Sequence, residues 1–126
     1  MFGDRFGRVL SRGAAAALVV PAALWFHTHL THSSPSKDET VSAAPTQVRL
    51  WFSQKPEVGL TSVTLLKADS TKVPMGTAVK TDDTLSVAVP IKAQLAPGSY
   101  VVRWRTASKD GHPVKGQYEF TVAAHR

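Results

Sequence analysis

From about Gln47 onward, apolar and polar residues alternate along the chain with the period of β-strands. The stretch QVRLWFS is the clearest case, because Val48, Leu50 and Phe52 fall on one side of an extended backbone. The same in-phase arrangement of large apolar residues recurs in two later stretches, at Tyr100, Val102 and Trp104 and at Tyr118, Phe120 and Val122. One face of each strand is therefore predicted to lie in a core between two sheets.

Five segments rich in β-branched and aromatic residues are predicted as strands: residues 47–53, 61–68, 84–90, 99–107 and 117–124. Pro, Gly, Asp or Ser bounds each of them, and this part of the chain shows no helical period. Leu30 and Val41 precede the first segment and are candidates to dock on the sheets. These features predict an all-β fold, a small antiparallel sandwich of about seven strands with Greek-key connections.

The first 26 residues have the layout of a secretory signal. Arg5, Arg8 and Arg12 precede GAAAALVVPAALWF, an uncharged run of fourteen residues. Since a membrane span needs roughly twenty residues, a cleaved signal peptide is favoured over a retained membrane anchor. We therefore predict export of one domain, residues 27–126, behind a signal or anchor of residues 1–26.

Composition restricts the chemistry that this domain can perform. The sequence has no cysteine, which excludes disulfides and thiolate metal sites. The formal charge of +6 falls to +4 when residues 1–26 are removed, since three arginines and one aspartate leave with them. The remaining lysines are scattered along the sequence without interleaved aromatic residues, so we predict solvated surface charge and no nucleic-acid partner.

Asp110 and His112, in the connection SKDGHPVKG, are candidate metal ligands. On an extended backbone, two residues this far apart point the same way, and a carboxylate oxygen with an imidazole nitrogen suits Cu(II) or Zn(II). Asp-Gly is also a common turn pair, so a purely structural turn is the alternative. A chain beginning at His27 would add an α-amino group and a second imidazole, giving three nitrogens and one oxygen, a set that favours Cu(II).

The terminal half of this site depends on where the signal is cleaved. Cleavage after the PAA at 21–23, or an uncleaved anchor, would turn the α-nitrogen of His27 into an amide and remove the chelate. With His27 first, His29 stands third, and the amine, two amides and that imidazole form a competing square-planar Cu(II) site. His29 and His32 thus remain open either as further ligands or as solvated side chains.

Three parts of the sequence together resemble the CopC-type copper resistance domain. They are the pattern H-x-x-L-x-x-S-x-P from His27 to Pro35, AAPTQVRLWFSQKP at 43–56, and LAPGSYVVRWRTASKDGHPVKGQYEFTV at 95–122. The resemblance implies a periplasmic protein with an immunoglobulin-like or cupredoxin-like β-sandwich. It further implies one Cu(II) site, with His27 as the N-terminal ligand and Asp110 and His112 as the ligands of a D-x-H loop.

Some members of that family carry a methionine-rich loop for Cu(I), and this sequence departs from them. Met75 is the only methionine after Met1, and one thioether does not make a Cu(I) site. The expected function is therefore periplasmic Cu(II) buffering, or transfer to an inner-membrane copper transport protein, by a monomer that is not an enzyme. The alternatives are a metal-free, immunoglobulin-like interaction domain and a copper-brace oxygenase.

Overall fold

The computed structural model of the protein describes residues 28–124, which form two packed β-sheets. The predicted signal or anchor, the proposed ligand His27 and the penultimate His125 lie outside the described residues. No helix within residues 28–124 is long and apolar enough to cross a membrane. The one helical element there is a single 3-10 turn at Val58–Leu60.

The described residues form nine strands. They are β1 Leu30–Ser34, β2 Thr40–Val41, β3 Gln47–Phe52, β4 Ser62–Lys67, β5 Lys72–Val73, β6 Val79–Lys80, β7 Ser86–Pro90, β8 Gly98–Ala107 and β9 Pro113–Val122. One sheet has the order β1-β3-β7-β6 and the other β2-β9-β8-β4-β5. The predicted all-β sandwich is confirmed, and all five predicted strands are present. The strand count is nine against the expected seven, and three of the nine contain only two residues each.

The core lies between the sheets and is built from the alternating positions that the sequence indicated. Val48, Leu50 and Phe52 of β3 are fully or almost fully buried, and the ring of Phe52 meets the edge of Trp104 from β8. Tyr100 of β8 stacks on Phe120 of β9. Since each buried Val, Leu or Phe side chain contributes about 1.5–3 kcal/mol, the inward-facing residues supply the main driving force for folding.

The segment before β3 supplies an edge strand to each sheet, β1 to one and β2 to the other. β1 pairs antiparallel with β3, while β2 pairs parallel with β9, which makes the second sheet mixed rather than purely antiparallel. Leu30 and Val41 are partly buried and pack against the core, so their predicted docking is confirmed. The N-terminal segment is thus fixed to both sheets.

The β8–β9 hairpin is the longest paired element, with ten residues in each strand and an unbroken register from Gly98↔Val122 to Ala107↔Pro113. Gly116 is required inside it, because a Cβ there would lie 2.6 Å from the indole of Trp104. Residues 108–112 connect the two strands at the hairpin tip. This tip contains both ligands that the sequence predicted on this side of the site.

Candidate metal-binding site

The tip of the β8–β9 hairpin is held by its own hydrogen bonds. The amide of Gly111 donates to the carbonyl of Ser108 at 2.8 Å, and Gly111 has a φ of +82°, a conformation that favours glycine. The buried Ser108 hydroxyl donates to Oδ1 of Asp110 at 2.7 Å. The Gly111–Ser108 bond closes the turn, and the Ser108 hydroxyl fixes the orientation of the Asp110 carboxylate.

Asp110 and His112 are in contact at this tip. The His112 amide donates to Oδ1 of Asp110 at 3.0 Å, and the imidazole Nδ1 lies 3.3 Å from Oδ2. The bonds from the Ser108 hydroxyl and the His112 amide lower the pKa of Asp110, because they stabilise its charged form. The carboxylate is therefore available as an anionic ligand throughout the neutral range.

Both side chains are open to solvent, with 50% of the Asp110 side chain and 78% of the His112 side chain exposed. Two donor atoms at adjacent corners of a square-planar site, each about 2.0 Å from the metal, lie about 2.8 Å apart. The observed 3.3 Å between Oδ2 and Nδ1 is close to that spacing. The pair fits a borderline divalent cation that accepts oxygen and nitrogen donors.

The start of the described chain is fixed to the loop that follows β3. The amide of His29 donates to the hydroxyl of Ser53 at 3.0 Å, and the amide of Ser53 donates to the carbonyl of His29 at 2.9 Å. Thr28 is buried, and its hydroxyl donates to Oε1 of Gln54 at 3.4 Å. The first described residues therefore have a defined position on the sandwich.

That loop after β3 also borders the hairpin tip. Gln54 and Lys55 line a surface depression of about 320 Å³ together with Ser108, Lys109 and Asp110. Gln54 therefore contacts Thr28 and also lies on the surface that carries Asp110. The structure brings the start of the described chain and the D-x-H loop to the same end of the sandwich.

A buried hydroxyl pair supports the base of the hairpin tip. Thr61 and Thr106 share a hydrogen bond of 2.7 Å between their hydroxyls, and the hydroxyl of Thr61 also donates to the carbonyl of Glu57 at 2.8 Å. The amide of Glu57 in turn donates to the carbonyl of Ala107 at 2.8 Å. The tip thus projects from a hydrogen-bonded base.

The other described histidines have different surroundings. His29 is exposed and is positioned through its backbone. His32 lies on β1, and its ring stacks on the indole of Trp51 with ring centroids 4.2 Å apart and planes 15° apart. This stacking occupies one face of the His32 ring.

Across residues 28–124, no three His, Asp or Glu side chains converge into a group that could hold a metal. Asp110 and His112 supply two donors, and the third predicted ligand, His27, lies outside the described residues. Sequence reasoning did not identify Ser108 or Gln54 as supporting residues. The S-x-D spacing ahead of the Asp-Gly turn is a usable signal for Ser108, whereas no local pattern marks Gln54.

Comparison with known proteins shows the fold and the family of the chain. The sequence profile described as the CopC domain matches residues 30–123. Protein YobA of Escherichia coli K12 is 36% identical over 107 residues, which cover 84% of this chain and 86% of that protein. Copper resistance protein C of Xanthomonas campestris pv. juglandis is 35% identical over 113 residues, covering 85% and 88%. The similarity to these two proteins thus extends over most of each chain.

A solved structure has the same architecture. The crystal structure of CopC from Methylosinus trichosporium OB3b superposes with a TM-score of 0.73 at 37% sequence identity. The match covers 79% of this chain and 97% of the other. The sequence profile, the relatives and this structure all indicate the same family.

Proposed function

The chain belongs to the CopC domain family, and from that premise we propose that it is a periplasmic protein that binds one Cu(II) ion. The observation that carries the proposal is the Asp110–His112 pair, an ionised carboxylate 3.3 Å from an imidazole on an ordered, solvent-exposed loop. A carboxylate oxygen combined with nitrogen donors is a ligand set that suits Cu(II). His27 completes the proposed set with its α-amino group and imidazole.

The surroundings of Thr28 support the inclusion of His27. Successive Cα atoms are about 3.8 Å apart, so the residue bonded to Thr28 begins close to wherever Thr28 is fixed. Thr28 is buried and bonded to Gln54, and Gln54 borders the surface depression that also contains Asp110. The position of Thr28 at this end of the sandwich supports the proposal that His27 is the third ligand.

The choice of Cu(II) over Cu(I) follows from the donor types. Cu(I) favours soft thioether and thiolate ligands, whereas imidazole, amine and carboxylate suit Cu(II). The sequence has no cysteine, and Met75 packs against the core, where it is partly buried and bridges to Ile91. The proposed site therefore contains only nitrogen and oxygen.

We assign the protein a role in buffering or passing on copper rather than a catalytic one. The exposure of Asp110 and His112 leaves the proposed metal within reach of a second ligand set, so an acceptor can replace these ligands one at a time. The relative from Xanthomonas campestris is named for copper resistance. Binding and release of copper at the cell envelope, with an inner-membrane transport protein as the acceptor, is consistent with that name.

The deciding experiment combines two measurements: the intact mass of the native protein, and a Cu(II) titration of two purified chains. The protein recovered from its native envelope is weighed, and purified chains beginning at His27 and at Leu24 are titrated with Cu(II) against a competing chelator. We expect the mass of a chain that starts at His27, and markedly tighter Cu(II) binding by that chain. A native start at Leu24, or equal affinities for the two chains, would refute the terminal chelate.

A further inference from the structure

The outer face of the five-stranded sheet carries a concentrated positive charge near the hairpin tip. Arg103 and Arg105 of β8 and Lys115 of β9 all point outward and are exposed. They line a groove of about 540 Å³, which Ser62, Thr64 and Gln117 complete with polar groups. We call these six residues the cationic groove. This cluster is not evident from the sequence, because Lys115 comes to lie beside Arg105 only through the β8–β9 register.

Within residues 28–124, the cations of this groove make no ion pair with a carboxylate. Arg105 and Lys115 are directly opposite each other in the β8–β9 ladder, and like charges in that placement destabilise a sheet. Among the described residues, the ion pairs are Arg49–Asp82 and Asp110–His112, and neither involves the groove. Arg103 makes its side-chain hydrogen bond to the neutral amide of Gln117, at 3.3 Å. This face therefore keeps a net positive charge, because the exposed Glu119 of β9, two positions beyond Gln117 and opposite Val101, is outnumbered by the three groove cations.

The cationic groove lies close to the proposed metal site. Arg105 and Lys115 are two ladder pairs from Ala107↔Pro113, where the tip begins, and Lys55 and Lys109 border the surface beside Asp110. Positive charge around a cation site repels incoming Cu(II), so these side chains do not help to capture the metal. They are suited to attracting a negatively charged partner to the end of the sandwich that carries the proposed site.

We propose that the cationic groove docks an extended, acidic segment of the protein that exchanges copper with this one. Arg103 and Arg105 offer planar guanidinium groups that bind carboxylates in bidentate fashion. The hydroxyls of Ser62 and Thr64 can hydrogen-bond the backbone of such a segment. The concave surface across β4, β8 and β9 fits an extended peptide better than it fits a flat lipid surface. The identity of the partner as a copper protein rests on the proposed function, whereas docking of the acidic segment does not.

The test uses an oligoglutamate peptide as the probe and the full chain as recovered from cells. Replacement of the three groove cations, R103Q/R105Q/K115Q, should weaken peptide binding by about tenfold or more at low salt. The matched control, K72Q/K80Q/K92Q, removes the same charge from exposed lysines outside the groove and should change binding by less than about twofold. Equal losses in the two variants, or no binding by the native protein, would overturn the proposal.

Two further measurements separate the alternatives. Vesicles of phosphatidylcholine with anionic phosphatidylglycerol replace the peptide, and binding to the vesicles without binding to the peptide would assign the groove to membranes and overturn the proposal. Cu(II) titration of the groove variant should give an affinity equal to or above that of the native protein. Failure of the native protein to bind Cu(II) would refute the proposed function, while the peptide titration would still decide whether the groove docks an acidic segment.

Discussion

Two exposed histidines on this sandwich have opposite local environments. His112 lies on a turn with its Nδ1 3.3 Å from a carboxylate, whereas His32 lies on an edge strand with its ring stacked on Trp51. The guanidinium of Arg49 also lies over that indole, 4.6 Å from the ring centroid. One imidazole is next to a negative charge, and the other belongs to a cluster that contains a positive charge.

The difference shows that exposure alone does not make a histidine a metal ligand. A ligand needs a lone pair directed into a space that other donors also face, and Asp110 provides a second donor beside His112. One face of the His32 ring is covered by the indole of Trp51, and the guanidinium over that indole belongs to Arg49, which is ion-paired with Asp82. The two histidines therefore form a matched comparison, in which His112 is the proposed ligand and His32 is the control.

Replacement of His112 should have the largest effect. His112→Ala removes a proposed ligand, so we expect Cu(II) affinity to fall by more than about 100-fold, beyond the loss typical of residues that only support a ligand. The fold should persist, because His112 is exposed and contributes to the turn through its backbone amide. Competitive titration measures the Cu(II) affinity, and circular dichroism shows whether the fold persists. Unchanged affinity would remove His112 from the site.

Asp110→Asn should have the next largest effect. Asparagine keeps an oxygen that accepts hydrogen bonds from the Ser108 hydroxyl and the His112 amide, so the turn should be preserved while the charge is lost. We expect Cu(II) affinity to fall by about tenfold, measured with the same competing chelator. A variant that binds as tightly as the native protein would show that the carboxylate is not a ligand.

Ser108→Ala tests how the carboxylate is held, and its effect should be smaller. The Ser108 hydrogen bond is the largest cause of the lowered pKa of Asp110, so its removal should raise that pKa toward the ordinary value and weaken Cu(II) binding by a few-fold. Because the folded-state pKa is depressed, the stabilisation that the charged Asp110 contributes is present above its unfolded-state pKa. It is lost as pH falls through the folded value. An NMR titration of the Asp110 carboxyl carbon measures the shift, and an unmoved midpoint would contradict the assignment.

His32→Ala should have the smallest effect on copper and a distinct effect elsewhere. We expect Cu(II) affinity to change by less than about twofold, while the fluorescence of Trp51 changes because the stacked ring is removed. A large loss of Cu(II) affinity would mean that the two histidines act together. The distinction between His112 as a ligand and His32 as a non-ligand would then be wrong.

The sequence was sufficient to predict the long strands and to single out Asp110 and His112 as candidate ligands, because both inferences depend on local patterns. Alternation in β3, β8 and β9 indicated which side of each strand is buried, and the D-G-H spacing marked Asp110 and His112. The two-residue strands escaped prediction because two residues have no measurable period. The pairing of β2 with β9 depends on tertiary contacts that are distant in sequence.

The residues around the proposed site could not be predicted from the sequence, because they are brought together by contacts between distant parts of the chain. Gln54 approaches Asp110 because the loop after β3 and the β8–β9 tip meet at one end of the sandwich, more than fifty positions apart in the chain. Arg105 and Lys115 are brought together by strand register. Local spacing indicates the proposed ligands, whereas the topology of the sheets determines which residues surround them.

The unbroken register of the β8–β9 hairpin gives the proposed docking groove and the proposed ligands a fixed separation. At about 3.4 Å per residue, the level of Arg105 lies about 7 Å along the strand from the residue where the tip begins. A partner held at that distance would present its own ligands to the metal at an effective concentration in the millimolar range. Copper exchange would then become a tethered reaction, with a rate set by strand geometry and independent of how dilute the partner is once it has docked.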